Sequence, residues 1–366
     1  MKFCPKCGHL VDDAASFCSN CGKPLFSQTH STSDNQVKKR TMIHKLSDFM
    51  GNDDILIMNW KILFKDIFKK HSSSEAEDVF MVGTSLTTPL PSQVTSDWHR
   101  PWLYSRVFAI FAAVMAMLLV CVLVFDNIIS IPGLIFVGAF AFPLAVMILF
   151  LELNAWRDIS FYKVALFFLT GGGASLLFTL LLFDITGSTG NLNYIGAMIV
   201  GFVEELGKAI IVYGILRFVY RYRKPTILGG MLIGACVGAG FATFESAGYA
   251  FVVLLEDGFG GMFGNILLRG LLAPGGHVAW AAITGGAIAF ASNGERPKLK
   301  SLISKAFLRI FILSVILHAL WDCPLLSGIP IIKYAGLVVL VWIVVMILID
   351  MGLDQLPAGS QPLYKK

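Results

Sequence analysis

From Tyr104 onward the chain is a succession of apolar runs, each long enough to cross the hydrocarbon core of a bilayer, which takes roughly 20 residues as a helix. About eight such runs can be delimited, at 104–125, 131–151, 164–183, 194–219, 227–255, 261–290, 303–320 and 331–349. Hydrocarbon offers no water to a backbone amide, so a spanning segment must be a helix or part of a closed barrel. These runs are about twice the length of a barrel strand. The expectation is an all-α polytopic membrane protein of about eight transmembrane helices over residues 101–351. Composition agrees: 56% of the 366 residues are hydrophobic, 14% are charged, and the mean hydropathy is +0.72, more apolar surface than a water-soluble domain needs. The formal net charge of +5 makes nucleic acid an unneeded partner, because cations in the loops at the inner face of a membrane account for it.

Those loop cations are distributed asymmetrically. The connections near Asp126, at 184–193 and at 256–261 carry no Lys or Arg. The alternate ones carry Arg157 and Lys163, then Arg221, Arg223 and Lys224, then Arg296, Lys298 and Lys300. The positive-inside rule therefore places both termini in the cytoplasm, in a multi-pass protein of a prokaryotic plasma membrane. Lys333 breaks the pattern, as a cation on the outer side near a helix end, where a long side chain can snorkel. No basic segment followed by a short apolar core marks a cleavable signal peptide.

The first hundred residues are polar. Cys4-Pro-Lys-Cys7 and Cys18-Ser-Asn-Cys21 are two C-x2-C knuckles ten residues apart, each followed by a glycine, Gly8 and Gly22. Four thiolates so spaced close a tetrahedral structural zinc site, which supplies folding energy that a segment of about 25 residues cannot draw from its own core. Two disulfides in an oxidising compartment are the alternative, disfavoured by the spacing and the lack of a secretion signal. Residues 1–25 are thus expected to form a zinc ribbon in the reducing cytoplasm. Whether the ribbon binds a protein, a nucleic acid or nothing stays open; Lys2, Lys6 and Lys23 make a poor nucleic-acid footprint, so a protein is the candidate partner if there is one. Residues 26–100 read as a cytoplasmic linker, with a Ser/Thr-rich tether at its start. An amphipathic helix is expected at 55–70, placing Leu56, Trp60, Leu63, Phe64 and Ile67 on one face, and extended loop at 71–100. Residues 352–366 read as a cytoplasmic tail. Cys121, Cys236 and Cys323 lie scattered in apolar surroundings and read as packing residues.

Ionisable residues inside the apolar runs are the functional signal. They are Glu204, Glu205 and Lys208 in the fourth run, Glu245 in the fifth, Arg269 and His277 in the sixth, and His318 and Asp322 in the seventh. Each would cost about 2–3 kcal/mol or more facing lipid at mid-bilayer, so they must face one another or water. Counted at about 1.5 Å per residue from the outer ends of antiparallel helices, Glu204, Glu245, His277 and His318 fall at similar depths. Glu204 and Lys208 are four apart, on one helix face, where the ammonium can keep a carboxylate ionised. Glu205 is rotated by about 100° and presents a second carboxylate elsewhere. His318 and Asp322 repeat the four-residue spacing, and Pro274, Gly275 and Gly276 break the helix just before His277, as is tolerated only beside protein or a water-filled cavity. Gly229, Gly230, Gly234, Gly238 and Gly240 point to close helix packing.

EELGK at 204–208, FATFE at 241–245, RGLLAPGGH at 269–277 and HALWD at 318–322 resemble, in order, spacing and placement, the motifs of the PrsW family of intramembrane proteases, related to the CAAX prenyl endopeptidases. The resemblance covers about 101–350 and implies hydrolysis of peptide bonds in membrane-anchored proteins, in some members an anti-sigma factor. Glu245 stands where the CAAX branch places a histidine. No Ser or Cys sits beside a histidine with a base, so water is the expected nucleophile. The expected catalytic residues are Glu204, Glu205, His277 and His318, with a glutamate as general base and a histidine serving the oxyanion or the leaving amine. Lys208, Glu245, Arg269 and Asp322 support them. A catalytic zinc held by two histidines and a carboxylate is the other mechanism, and there is no HExxH to decide; analogy with the CAAX branch favours glutamate chemistry without metal. An ion-coupled transporter and a non-catalytic scaffold are the rival classes, since both also bury acids and broken helices in a membrane.

Overall fold

The computed structural model describes residues 2–3, 10–11, 42–52, 60–84, 86–90, 94, 98–187 and 192–355, and the chain divides into two units, Met1–Thr41 and Met42–Lys366. In the first unit, strands β1 (Lys2–Phe3) and β2 (Leu10–Val11) pair antiparallel, Lys2 opposite Val11 and Phe3 opposite Leu10. The four cysteines, the tether at 26–41 and residues 356–366 lie outside the described residues.

The second unit is all-helical among its described residues. It opens with α1 (Met42–Met50), a 3-10 turn at Trp60–Phe64, and α2 (Ser73–Phe80). Two linker expectations fail here. Residues 60–70 form a 3-10 turn and bends rather than part of one amphipathic helix over 55–70. The segment read as loop holds α2, started by a reciprocal capping box between Ser72 and Glu75 that the apolar pattern does not reveal.

Then come α3 (Leu103–Leu123), α4 (Ile131–Leu153), and α5 (Phe161–Leu166), which runs through a π turn at 167–171 into α6 (Gly172–Thr186). They are followed by α7 (Tyr194–Val219), α8 (Ile227–Leu272), α9 (His277–Ala291), α10 (Leu299–Leu302), α11 (Lys305–Asp322) and α12 (Pro330–Leu353). Starts are capped locally: Asn193, Thr226 and Ser304 accept amides of Gly196, Gly229 and Phe307. Glu152 reaches from the end of α4 to accept the amides of Trp102, Leu103 and Tyr104 at 2.8, 2.9 and 2.9 Å, satisfying the orphan donors of α3.

Five stretches are long and apolar enough to cross a membrane: 103–123, 128–153, 161–186, 227–291 and 330–353. By length and composition alone the expected eight are not confirmed. The stretch 227–291 merges two of the expected runs. Helices α7 and α11 carry too many charges to qualify, with Glu204, Glu205, Lys208 and Arg217 on one and Lys305, Arg309 and Asp322 on the other. The two helices disqualified by their charge are the ones that carry most of the buried ionisable groups.

α8 also departs from expectation. No loop separates 256–261; Gly258 alone is non-helical, with φ 73° and ψ −167°, a conformation that an L side chain rarely adopts. A straight helix would hold Glu245 and Arg269 about 36 Å apart. They are instead ion-paired, so the chain folds back at Gly258 into two arms. The first arm is the centre of the unit, buried from Ile227 through Thr243. Lipid gives no hydrophobic drive between helices, so close approach must supply the attraction. A Cβ on Gly230, Gly234 or Gly238 would run into the backbone of Gly285, Ala281 or His277 on α9, and one on Gly240 into that of Phe168. The close packing read from these glycines is thus what holds α9, and with it His277, against α8. The second arm, through Met262 and Ile266, joins Leu134 and Ile135 of α4 and Ala250 of the first arm in a smaller apolar cluster.

Candidate active site

α7, both arms of α8, α9 and α11 deliver their ionisable residues to one cluster. Glu205 and Lys208 are wholly buried, His318 is 2% exposed and Glu204 7%. Lys208 Nζ lies 2.7 Å from Oε1 of Glu205, one helical turn back, and 3.7 Å from Oε2 of Glu204. The pairing expected from the four-residue spacing is therefore the weaker one; the three-residue neighbour takes the hydrogen bond. The ammonium also donates to Nδ1 of His277 at 2.9 Å and stands 4.5 Å from the ring centre of Phe241.

His277 is the first residue of α9, set there by the 3-10 turn at Ala273–Gly275 and the extended Gly276. Its Nε2 lies 3.0 Å from Oε2 of Glu245. Arg269 pairs with the same carboxylate oxygen, donates to Oγ of Ser246 at 2.9 Å and lies 4.5 Å from the ring of Tyr249. The hairpin at Gly258 is what returns this guanidinium to the acid 24 residues earlier.

On the other side, His318 Nδ1 meets Oε1 of Glu205 at 2.9 Å, and its Nε2 lies 3.3 Å from Asp322 and 3.7 Å from Oε2 of Glu204. The ring stacks on Trp280 at 4.3 Å and 22°, and Trp280 stands edge-on to His277 at 5.1 Å. Trp280, Phe241 and Ser246 were not singled out from the sequence. Trp280 sits three residues after His277 and Phe241 four before Glu245, one turn from a charge in each case, and that spacing was the signal available.

Every ionisable residue named from the sequence is thus in the cluster. The two adjacent glutamates differ in their surroundings. Glu205 gives Oε1 to both Lys208 and His318. Oε2 of each glutamate is buried without a hydrogen-bond partner among the described residues, but only Glu204 stands between the two imidazoles, its Oε2 3.8 Å from His277 Nδ1 and 3.7 Å from His318 Nε2. Glu204, His277 and His318 can offer three ligand atoms all within 4.8 Å of one another, a carboxylate oxygen and two imidazole nitrogens, the donor set of an open zinc site.

Beyond the α7–α11 seam, where Gly201 meets the backbone of Ala319, an apolar groove of about 950 Å³ opens between α6, α7 and α11. None of the ionisable residues of the cluster lines it.

The fold and site define a multi-pass, all-helical membrane protein built around an acid–imidazole centre. The chain belongs to the PrsW family of intramembrane metalloproteases, whose description matches residues 160–349, more than half its length. Residues 3–25 match the zinc-ribbon domain, so the N-terminal unit carries structural zinc. No curated protein and no solved structure shows a detectable similarity to the chain.

Proposed function

We propose that this chain is an intramembrane endopeptidase that hydrolyses peptide bonds of membrane-anchored proteins, with Glu204 as the residue that receives the proton of the attacking water. The observation that carries this is the partnerless Oε2 of Glu204, aimed between two imidazoles in a buried site. A carboxylate oxygen so placed is a proton acceptor whose desolvation water would otherwise relieve. His318, held at Nδ1 by Glu205 and flanked by Asp322, presents Nε2 to the developing oxyanion. His277, between Lys208 and Glu245, faces the leaving amine. Glu205 and Lys208 are positioning groups. Glu204, His277 and His318 would alternatively hold a divalent ion, which when bound would polarise the scissile carbonyl and acidify the water, with Glu204 then a ligand rather than the base.

α7 and α11 complete the membrane domain in this reading, as spans whose charges face inward; the first arm of α8 crosses alone and the second crosses together with α9, for eight crossings in all. The loop cations support a reading with both termini in the cytoplasm, and the family a prokaryotic plasma membrane. The test is cleavage of a co-expressed single-span reporter by the wild type and by Glu204→Gln. Loss of the product with normal insertion is expected. A wild type that leaves every reporter intact while moving ions in proteoliposomes would overturn the reading in favour of a transporter.

A further inference from the structure

Lys333 is the cation that breaks the inside-positive pattern, and a snorkelling lysine would hold its amine in water. Its Nζ instead donates to the carbonyl oxygens of Trp321 and Cys323 at 2.7 and 2.6 Å. Those residues bracket Asp322, the last residue of α11, whose carboxylate lies 3.3 Å from Nε2 of His318. The last carbonyls of a helix lack intrahelical partners and sum to a partial negative charge, so an ammonium there satisfies both. The next residue, Tyr334, packs its ring 4.7 Å from Trp321, and Trp321 in turn stands 5.6 Å from Trp280, the ring stacked on His318. Two consecutive residues of α12 therefore grip the end of α11 on either side of Asp322, just before the chain leaves the helix at Cys323.

We infer that Lys333 is a positioning residue of the catalytic centre, which fixes the α11 terminus so that Asp322 holds His318 in its working orientation. The kinetic part of this inference rests on the endopeptidase reading; the structural part does not. Without the ammonium, the final turn loses the bonds that hold its carbonyls, and the Asp322 side chain, 20% exposed, is free to turn away from the imidazole.

The experiment measures kcat and KM for reporter cleavage in proteoliposomes for the wild type, Lys333→Met, Lys333→Arg, Asp322→Asn and the Lys333→Met/Asp322→Asn pair, and, on the same proteins, hydrogen exchange of the amides at 319–323. Methionine should lower kcat about tenfold, within the range seen when a group supporting a ligand or catalytic side chain is removed, and leave KM within about twofold. Arginine should restore kcat. In the Asp322→Asn background, Lys333→Met should cost less than about twofold further, because a residue acting through Asp322 has nothing left to act on. Exchange at 319–323 should speed up in the methionine variant and not in the arginine one. Equal losses in both backgrounds, or wild-type kcat and exchange in Lys333→Met, would overturn the inference. A wild type without cleavage would end the endopeptidase reading, and the exchange of Lys333→Met against Lys333→Arg would then decide the positioning role alone.

Discussion

Oε1 of Glu205 lies 2.9 Å from Nδ1 of His318, and the same oxygen receives Lys208 at 2.7 Å. One buried carboxylate therefore ties an imidazole of α11 to an ammonium of its own helix, and it fixes which nitrogen of His318 faces Glu204. Its neighbour Glu204 approaches Lys208, His277 and His318 no closer than 3.7 Å, so its Oε2 stands between the two imidazoles without a hydrogen bond to either. Glu204→Gln is accordingly expected to lower kcat at least about 100-fold, as loss of a general base does. Glu205→Gln keeps an acceptor for His318 and should cost only about 10- to 100-fold. Steady-state cleavage of one reporter by both variants checks this, and equal losses would remove the distinction between the two acids.

Lys208 is the only wholly buried cation of the cluster, with Glu205 at 2.7 Å, Glu204 at 3.7 Å and His277 at 2.9 Å. Lys208→Met preserves the stem and removes the charge, which leaves adjacent carboxylates facing each other in a low dielectric. Breaking a buried ion pair from one side costs about 3–5 kcal/mol. The variant should unfold in detergent at a clearly lower temperature than the wild type, and a melting curve unchanged within error would show that the carboxylates find other compensation.

The donor set Glu204, His277 and His318 can be separated from the ribbon by replacing Cys4, Cys7, Cys18 and Cys21 with serine, which abolishes the tetrahedral thiolate site. The purified variant should retain one zinc per chain by elemental analysis, and His277→Ala in that background should lose it. Zinc falling to zero with the cysteines alone would mean that the buried centre works on glutamate chemistry without metal.

How much of this was legible beforehand can be judged from particular residues. The depth at which Glu204, Glu245, His277 and His318 fall along antiparallel runs was enough to bring them together, because helical rise is fixed and lipid forbids isolated charge. Which glutamate Lys208 holds was not legible. Three- and four-residue spacings both place side chains on one face, and the choice is made by where His318 arrives from another helix. The hairpin at Gly258 was hidden for a similar reason: a glycine among four in seven residues, at 258–264, gives no sign of which one takes the positive φ. The span count is not confirmed where function intervenes, since the charges that α7 and α11 bring to the cluster also spoil their apolar signature. The linker failed because a capping box outweighs hydrophobic periodicity in a helix as short as α2.

Gly238 offers a test of how closely the packing of α8 controls the site. A Cβ there would collide with the carbonyl of His277 and lie 2.7 Å from the Cβ of Ala281, while Gly248, ten residues on in the same arm, has nothing within 4 Å. Backbone cannot yield as a flexible side chain does, so Gly238→Ala must push α9 away and carry His277 from Lys208 and Glu245, the contacts at 2.9 and 3.0 Å that hold its ring. Overpacking of this kind costs about 1–3 kcal/mol, and a shift of about 1 Å in a catalytic group can cost 100-fold in rate. Gly248→Ala meets no obstacle and replaces the poorest ordinary helix former with the best, so it should be neutral or stabilising by up to about 1 kcal/mol. Cleavage rate and melting temperature for the pair decide the matter: Gly238→Ala should lose activity out of proportion to its stability, Gly248→Ala should lose neither, and equal behaviour would show that the α8–α9 seam does not set the position of His277.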